Sequence, residues 1–291
     1  SVGVVNNNSK ISAIVDNSAE ITATSDLLVQ ANSLSKLNGL SVAPGVGLFV
    51  GAAAAMDLNS NTKVTTSIAN SAKLAGNNIT IEANNTPVLN ARSTGAYAGL
   101  VSAVGAVTAL VDSEDDAIVN IGDSVNLDAD EKIKITAENK KYSPQNNSDD
   151  FKYNYYVKAE AGSGGVVTAN VVVSHINVDN ATTVTIGDLG TITAKQLEVL
   201  AKHEDSLNYE VLSAGAAGVS GIGSDHRVNI DSDVAVNIAY EPAQTTDDVT
   251  INKTQITTTE DVSIKAENKA YKDWLDATDD DKVGLDDYNA L

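Results

Sequence analysis

The residues in this sequence that are best suited to chemistry are carboxylates, which cluster in two places. The clusters are Asp112, Glu114, Asp115 and Asp116, and, near the end of the chain, Asp276, Asp279, Asp280, Asp281, Asp286 and Asp287. Calcium takes several carboxylate and carbonyl oxygens from one loop, so a calcium-stiffened binding module is one alternative. Neither cluster has EF-hand spacing, and no glycine-rich calcium nonapeptide occurs. We therefore interpret both clusters as solvated acidic turns.

The chain has only three histidines, His175, His203 and His226. His175 and His226 lie near the ends of two similar small-residue stretches, so stacked repeats would bring them close together. A zinc site needs three or four ligands, and no HxH or HExxH spacing supplies them. We interpret the histidines as surface or turn residues rather than as metal ligands.

An enzyme acting on carbohydrates is a second alternative. Glycoside hydrolysis needs two carboxylates a fixed distance apart, and a chain with 39 Asp and Glu offers many pairs. Acidic sugars also need Arg or Lys partners, yet Arg92 and Arg227 are the only arginines, and aromatic platforms for sugar stacking are sparse. The Gly-rich run AGSGG at 161–165 contains neither a GxSxG nucleophile elbow nor a GK[ST] phosphate loop. We predict no catalytic, cofactor-binding or metal-binding residues.

Composition narrows the possible partners. The 291 residues carry a formal net charge of −20, which argues against nucleic acid and against an anionic membrane surface. The absence of cysteine excludes disulfides and fits a bacterial extracellular protein. The most apolar stretches, 40–56 and 95–111, are short and rich in Gly and Ala, so we predict no membrane insertion. With only 4% aromatic residues, the core must be built from Val, Ile, Leu and Ala.

The elements that carry these residues are repeated. Five stretches alternate apolar and polar residues and close on an alanine: LLVQA (27–31), ITIEA (79–83), IKITA (133–137), LEVLA (197–201) and VSIKA (262–266). Alternation with period two predicts a half-buried strand. The closing alanines are 52 to 65 residues apart, which predicts an all-β, repetitive, parallel β-helix-like solenoid with units of that length.

A turn precedes each of these strands, after an apolar residue that recurs with the same spacing. Asn, Asp and Gly tolerate positive φ and bond to the local backbone, so we predict a corner between two strands. The corner residues are Asp16 and Asn17, Ala69 and Asn70, Gly122 and Asp123, Gly187 and Asp188, and Asn252 and Lys253.

A long stretch of small residues follows most of the alanine-ended strands. The copies occupy 40–58, 93–112, 156–178 and 208–230. Ala favours a helix, but embedded Gly and β-branched Val favour a strand, and we predict strands. Because both alternate faces of residues 95–111 are apolar, we expect both to be covered.

These elements divide the chain into units of approximately 13–65, 66–118, 119–183, 184–248 and 249–270, with 271–291 an acidic tail or the start of another unit. Loops at 140–153 and 240–248 account for the greater length of two units. Insertions of this kind are where recognition tends to reside in repeat proteins. The chain starts and stops partway through a unit, so we expect it to be cut from a longer protein. The sequence leaves open whether each unit holds one coil or two.

The repeated motifs carry a family resemblance. The VxIGDS corner, the xITIEAxN strand and the AGxVSAVGAV stretch together resemble repeats of large bacterial secreted filamentous adhesins, the leukotoxin-like and haemagglutinin-like exoproteins. The resemblance covers about residues 1–270 and implies a β-solenoid stalk at or beyond the cell surface.

From these patterns we predict a non-enzymatic, extracellular or cell-surface structural protein that forms an elongated rod, a filament subunit or an adhesin shaft. Its partners would be further copies of itself and a host-cell or cell-surface ligand. Open strand edges at either end favour end-to-end stacking.

Overall fold

The computed structural model describes residues 1–144, 151–238 and 253–272, and these ranges contain strands but no helix. The strands are β1 (Val2–Val15), β2 (Glu20–Thr22), β3 (Leu27–Ile68), β4 (Lys73–Ser113), β5 (Asp116–Ile121), β6 (Asn126–Asn139), β7 (Tyr155–Ile186), β8 (Thr191–Ala194), β9 (Gln196–Ile238), β10 (Gln255–Thr258) and β11 (Val262–Lys272). They form one sheet in which the described pairings are parallel. Among the described residues, no helical segment has the length and apolarity needed to cross a membrane.

Each sequence unit forms one coil of a β-solenoid, as the strand register shows. The closing alanines of the five predicted strands stack directly on one another, Ala31 on Ala83, Ala83 on Ala137, Ala137 on Ala201 and Ala201 on Ala266. The predicted all-β, parallel solenoid is therefore confirmed, with one coil per repeat.

Every coil is flattened into two arms that face each other. The arms meet at a first corner, at residues 16–19, 69–72, 122–125 and 187–190, and at a second corner, at 47–49, 98–102, 165–167 and 217–219. Side chains cross between the arms: Thr66 Oγ1 donates to Glu82 O at 2.6 Å near the first corner, and Tyr97 Oη donates to Ala106 O at 3.5 Å near the second. The sheet thus folds back on itself, which gives every strand an inner and an outer face.

Two apolar cores lie between the arms. The first-corner core stacks Ile79, Ile133 and Leu197 in one column, all 0–1% exposed. The second-corner core contains Leu89, Tyr155 and Leu207, together with small residues such as Ala103 and Ala109. Burial alternates along the strands, as the period-two pattern predicts for residues that point alternately inward and outward.

The first corner is where predicted, but the residues at positive φ are different ones. Positive φ occurs at Ser18, Ser71, Ser124 and Leu189, one residue after the predicted Asn and Asp positions in each described coil, and no Gly adopts it. The fifth corner pair is only partly described, because Asn252 lies outside the described residues.

The Asn and Asp of the corner instead bind the next coil. Asn70 Oδ1 accepts from the Asp123 backbone N–H at 3.0 Å, and Asp123 Oδ1 accepts from that of Asp188 at 3.0 Å. Glycine is required at 122 and 187 because there is no room for a Cβ atom. A Cβ on Gly122 would collide with the Asn70 carboxamide oxygen, and one on Gly187 with the Asp123 carboxylate oxygen. The corner is therefore a polar ladder that runs from coil to coil.

The small-residue stretches are extended, as predicted, but each one turns at the second corner rather than forming a single straight strand. Their inner residues are covered: Tyr97 lies between the arms, and its ring fills the space that side chains at Gly95 and Gly105 would need. Their outer residues are not covered, which corrects the expectation of two buried faces. Val46 and Leu100, for example, are 89% and 71% exposed.

The register places the first insertion where it was predicted. Asn85 pairs with Asn139, 54 residues on, whereas Leu89 pairs with Tyr155, 66 residues on, so the extra residues lie at 140–154. The predicted loop at 240–248 lies outside the described residues, as does most of the 271–291 segment.

The corner ladder gives a first test, the substitution Gly122→Ala. The new methyl group would displace the Asn70 side chain and press on the Asn70 backbone nitrogen, 2.9 Å from the Cβ position. We expect the free energy of unfolding to fall by about 1–3 kcal/mol. Gly162→Ala is the matched control, because nothing lies within 4 Å of its Cβ position, and it should change stability by less than about 0.5 kcal/mol. Equal unfolding midpoints in urea for the two variants would contradict the ladder.

Candidate functional site: a polar seam and an aromatic cleft

A seam of buried polar residues separates the two apolar cores. On one arm Thr62, Asp115 and Asn180 occupy equivalent places in successive coils, and on the facing arm Asn85, Asn139 and His203 do so. All six are between 0 and 1% exposed. Burying polar groups is costly unless hydrogen bonds compensate, so their partners decide what the seam can do.

Asp115 is the most constrained carboxylate of the seam. Its Oδ1 accepts from the Thr62 backbone N–H and from Ser60 Oγ, both at 2.8 Å, and its Oδ2 accepts from Ser113 Oγ at 2.6 Å. Burial raises the pKa of Asp115 above its usual value, although these donors act in the opposite direction. The residue therefore anchors one arm to the coil below it.

The asparagines of the AxN pattern join the two arms. Asn139 Nδ2 donates to the Asp115 carbonyl and to Thr182 Oγ1, both at 2.9 Å. Asn268 occupies the equivalent place in the last described coil and donates to Ser232 Oγ at 2.8 Å. The asparagine at this place thus fixes the spacing of the arms where no apolar side chain does so.

His203 replaces asparagine at this place in the fourth coil and forms a pair with Asp205. His203 Nε2 and Asp205 Oδ2 are 2.6 Å apart, and both side chains are 0% exposed. The interpretation of His203 as a surface residue was therefore wrong. With no exposed surface on either group, the pair cannot meet a substrate from solvent in this arrangement, and we assign it to the seam.

The other histidines do not come together either. The register pairs His175 with Arg227 and Ser174 with His226, so a one-residue offset places His175 on the outer face and His226 at an inner position. His175 lies 3.5 Å from Asp225, and the His226 ring stacks on Tyr209 with centroids 5.6 Å apart. A shared metal site at these two histidines is therefore not formed.

The acidic bend at 112–116 is split between the inner and outer faces, so its interpretation as a solvated turn was wrong for Asp115, which is 0% exposed. Asp115 points inward, whereas Asp112 and Glu114 are exposed and Asp116 is half-buried, its carboxylate accepting from the Ala181 N–H. Within residues 1–144, 151–238 and 253–272, no group of three or more His, Asp or Glu is placed to hold a metal ion. The second predicted cluster, Asp276 to Asp287, lies outside the described residues.

A second polar site lies on the outer face, where the insertion returns to the sheet. We call the two described ends of the insertion, residues 140–144 and 151–154, its neck, and Asn154 holds them together. Asn154 Nδ2 donates to the carbonyls of Pro87 and Lys140, both at 2.9 Å, and Asn154 Oδ1 accepts from the Tyr142 N–H at 2.9 Å and from Ser206. Asn154 is 0% exposed. This one side chain therefore connects both ends of the loop to the coils on either side.

The neck holds a cleft of about 120 Å³ against the sheet. Its lining residues are Asn90, Arg92, Phe151, Lys152, Tyr153, Tyr156 and Glu210. The Tyr153 and Tyr156 rings are stacked, with centroids 6.2 Å apart and planes inclined by 17°. The Arg92 guanidinium lies 5.5 Å from the Tyr156 ring centroid, and Arg92 Nε donates to Asn90 Oδ1 at 3.1 Å.

Electrostatics tie Tyr156 to Glu210. The Tyr156 hydroxyl donates to the Glu210 carboxylate, and burial together with this carboxylate raises the pKa of Tyr156 well above its usual value. Burial alone would raise the pKa of Glu210, but Tyr156, Lys158 and Arg92 together lower it. Glu210 therefore stays ionised and already has a cation close to it, since Lys158 Nζ lies 3.1 Å away.

Comparison with known proteins provides no further guide: no protein-family model, curated protein or solved structure matches the chain. The site has to be judged from its own chemistry.

Sequence reasoning missed both the neck and the cleft. Asn154 carries no signal of its own in a chain rich in asparagine, and Arg92 was considered only as one of two scattered arginines. A detectable signal was the aromatic density of the insertion. The chain has nine tyrosines, two phenylalanines and one tryptophan, and five of these twelve aromatic residues lie within residues 142–156.

The neck predicts a strong effect for Asn154→Ala. The substitution leaves the Pro87 and Lys140 carbonyls and the Tyr142 N–H without their partner, so we expect a loss of about 2–4 kcal/mol in the free energy of unfolding. Limited proteolysis should also cut faster within residues 140–154. Asn229→Ala, which removes an exposed bond to Asn177, should change stability by less than about 0.5 kcal/mol. Similar losses in both variants would show that the neck does not depend on Asn154.

The seam predicts a pH dependence that Asp115→Asn removes. Because the folded pKa of Asp115 is raised above the ordinary value of 3.8, the folded state holds the proton more tightly than the unfolded chain. This group therefore lowers the stability of the wild type as the pH rises above that value, until it is ionised in both states. Urea unfolding between pH 3.5 and 7 should show the Asn variant gaining stability relative to the wild type. A difference that does not change with pH would refute the raised pKa.

Proposed function

We propose that this protein is a non-enzymatic, extracellular structural protein whose coils stack into an elongated rod, a filament or an adhesin shaft, as in the secreted bacterial adhesins that its repeats resemble. The observation that supports this proposal most directly is the pair of open sheet edges at the ends of the solenoid.

Each edge exposes most of a coil. Residues 208–238 of β9 pair with β7 on one side, and no other described strand covers them. At the opposite end, β1 and residues 27–54 of β3 likewise pair only with the neighbouring coil among the described strands. Unpaired backbone donors and acceptors in such numbers form a template for another chain.

The central stretch of each edge lacks the charged side chains that soluble β-proteins use against edge-to-edge association. Residues 211–224 contain no charged residue and no proline, and residues 37–56 contain no charged residue and only Pro44. These two runs occupy equivalent positions in the first and fourth coils. Stacking one chain on another would therefore place uncharged surface on uncharged surface, in spite of the net charge of −20.

In part of the outer face, charges on successive coils alternate in sign. One outer column reads Asn32, Asn84, Glu138, Lys202 and Glu267, with Lys202 Nζ 3.6 Å from the Glu138 carboxylate. Because the register places each side chain over its equivalent, like charges would repel at every level. Alternation supports a function that depends on coils remaining in register.

The proportions of the chain also bear on the proposal. An arm of roughly 20 residues, such as 27–47 or 50–68, spans up to about 65 Å, whereas the stacked alanines of five coils span only about 20 Å along the solenoid axis. The described chain is therefore wider than it is tall, and a rod arises only by adding coils at the open edges.

The variant Ile222→Lys tests the assembly. Ile222 sits at an inner position, above Asn170, but is 52% exposed because no described strand covers it. A lysine there remains hydrated in a single chain and would be buried by an added coil. We expect the wild type to form larger species as concentration rises in sedimentation velocity runs, and the variant to remain monomeric with an unchanged melting temperature.

Leu212→Lys is the matched control. Leu212 is 57% exposed on the outer face, above Glu160, so its charge stays in solvent after stacking. This variant should assemble as the wild type does. A wild type that stays monomeric, or an Ile222→Lys variant that assembles equally well, would overturn the proposal.

A further inference from the structure

We propose that the aromatic cleft at the insertion neck is a binding site for an acidic saccharide, with Arg92 as the carboxylate ligand and Tyr156, backed by the buried Tyr153, as the platform for the sugar ring. Arg92 and Tyr156 lie in the second and third coils, away from the open edges, whereas Glu210 lies on the edge strand of the fourth coil.

The aromatic groups are concentrated where a ligand would need them. Tyr153 and Tyr156 stack face to face, and the half-buried Phe151 lines the same cleft. Flat aromatic faces pack against the carbon-bound hydrogens of a sugar ring, and tyrosine adds a hydroxyl for polar contacts. In a chain with 4% aromatic residues, this concentration distinguishes the cleft from the rest of the outer face.

The polar groups of the cleft are held in place before a ligand arrives. Asn90 lies on the outer face yet is only 2% exposed, and its Oδ1 fixes Arg92 through Nε at 3.1 Å. The Tyr156 ring also lies against the Arg92 guanidinium, whose central carbon is 5.5 Å from the ring centroid. An arginine fixed in this way loses little freedom on binding, and its planar fork suits a carboxylate.

The local charge also suits an anion, although the whole chain is strongly acidic. Arg92, Lys152 and Lys158 face two carboxylates, those of Glu160 and Glu210. Lys158 and the Tyr156 hydroxyl bind Glu210 directly, and Arg92 interacts with it electrostatically. Among the described residues, the cleft and its surroundings therefore carry one more cation than carboxylate.

The size of the cleft restricts the ligand. A volume of about 120 Å³ corresponds to about four water molecules and admits part of a single six-membered ring, with the rest of a chain in solvent. Asn90 and Glu210 offer donors and acceptors for neighbouring hydroxyl groups, while Arg92 selects for a carboxylate. A uronic or sialic acid residue combines these features, whereas a neutral sugar would leave Arg92 without its anion.

Isothermal titration calorimetry on the full chain tests the site with three acidic probes, trigalacturonate, a hyaluronan tetrasaccharide and sialyllactose. Each is compared with an uncharged counterpart: the methyl esters of the first two, and lactose for the third. We expect at least one acidic probe to bind with a dissociation constant below about 1 mM, and its counterpart to bind at least about tenfold more weakly.

Two arginine variants form a matched pair. Arg92→Gln should weaken binding of the acidic probe at least about tenfold, whereas Arg227→Gln removes an arginine that is 72% exposed and paired with Asp225, and should leave affinity within about twofold. Both variants should keep the melting temperature of the wild type, which separates lost binding from lost folding.

Tyr156→Phe keeps the ring but loses the bond to Glu210, and Tyr156→Ala removes the platform, so only the second should abolish binding. Four results would overturn the proposal: no binding of any probe at about 10 mM, equal affinity for esters and acids, an unchanged affinity in Arg92→Gln, or equally effective competition by acetate.

Discussion

The structure depends on one constraint, the exact parallel register that places each residue on its equivalent in the next coil. Each side chain must therefore tolerate the equivalent side chain of the next coil, which lies at the spacing of hydrogen-bonded strands, about 4.8 Å away. Apolar columns such as Ile79, Ile133 and Leu197 satisfy this by packing, and Asn70 and Asp123 satisfy it by bonding to the backbone above. The column of Glu138, Lys202 and Glu267 satisfies it by alternating in sign. Under the proposed function, the same constraint lets a further coil pair with either end of the stack, because nothing in the register distinguishes an internal coil from an added one.

The buried seam shows what the flattened coil requires beyond apolar packing. Two arms joined only at their corners would leave a long interior to be filled by side chains from both sides. Bonds from Asn139 to Asp115 and Thr182 fix the distance between the arms midway between the corners. The raised pKa of Asp115 is a consequence of that arrangement, since the carboxylate is held in the interior by neutral donors and has no cation as a partner. The seam is thus a structural spacer, and the reactive-looking His203 and Asp205 belong to it.

The sequence predicted the elements that repeat and missed those that occur once. The alanine-ended strands, the corners and the place of the first insertion could be read from periodicity, because stacking forces equivalent residues to recur at a fixed spacing. The burial of the outer small-residue face was misjudged because Val46 and Leu100 look like core residues until the fold shows which side they face. Asn154 and the cleft around Arg92 depend on how a unique loop folds back onto other coils. No periodic pattern encodes that contact, so only the structure shows it.

The central claim is that function arises from adding coils along the solenoid axis, and cryo-electron microscopy of the assembled protein tests it most directly. The account predicts fibres whose power spectrum has a layer line at about 4.8 Å along the long axis, because the strands lie across the fibre and stack along it. Particles no larger than a single chain, or fibres in which that spacing runs across the long axis, would contradict it.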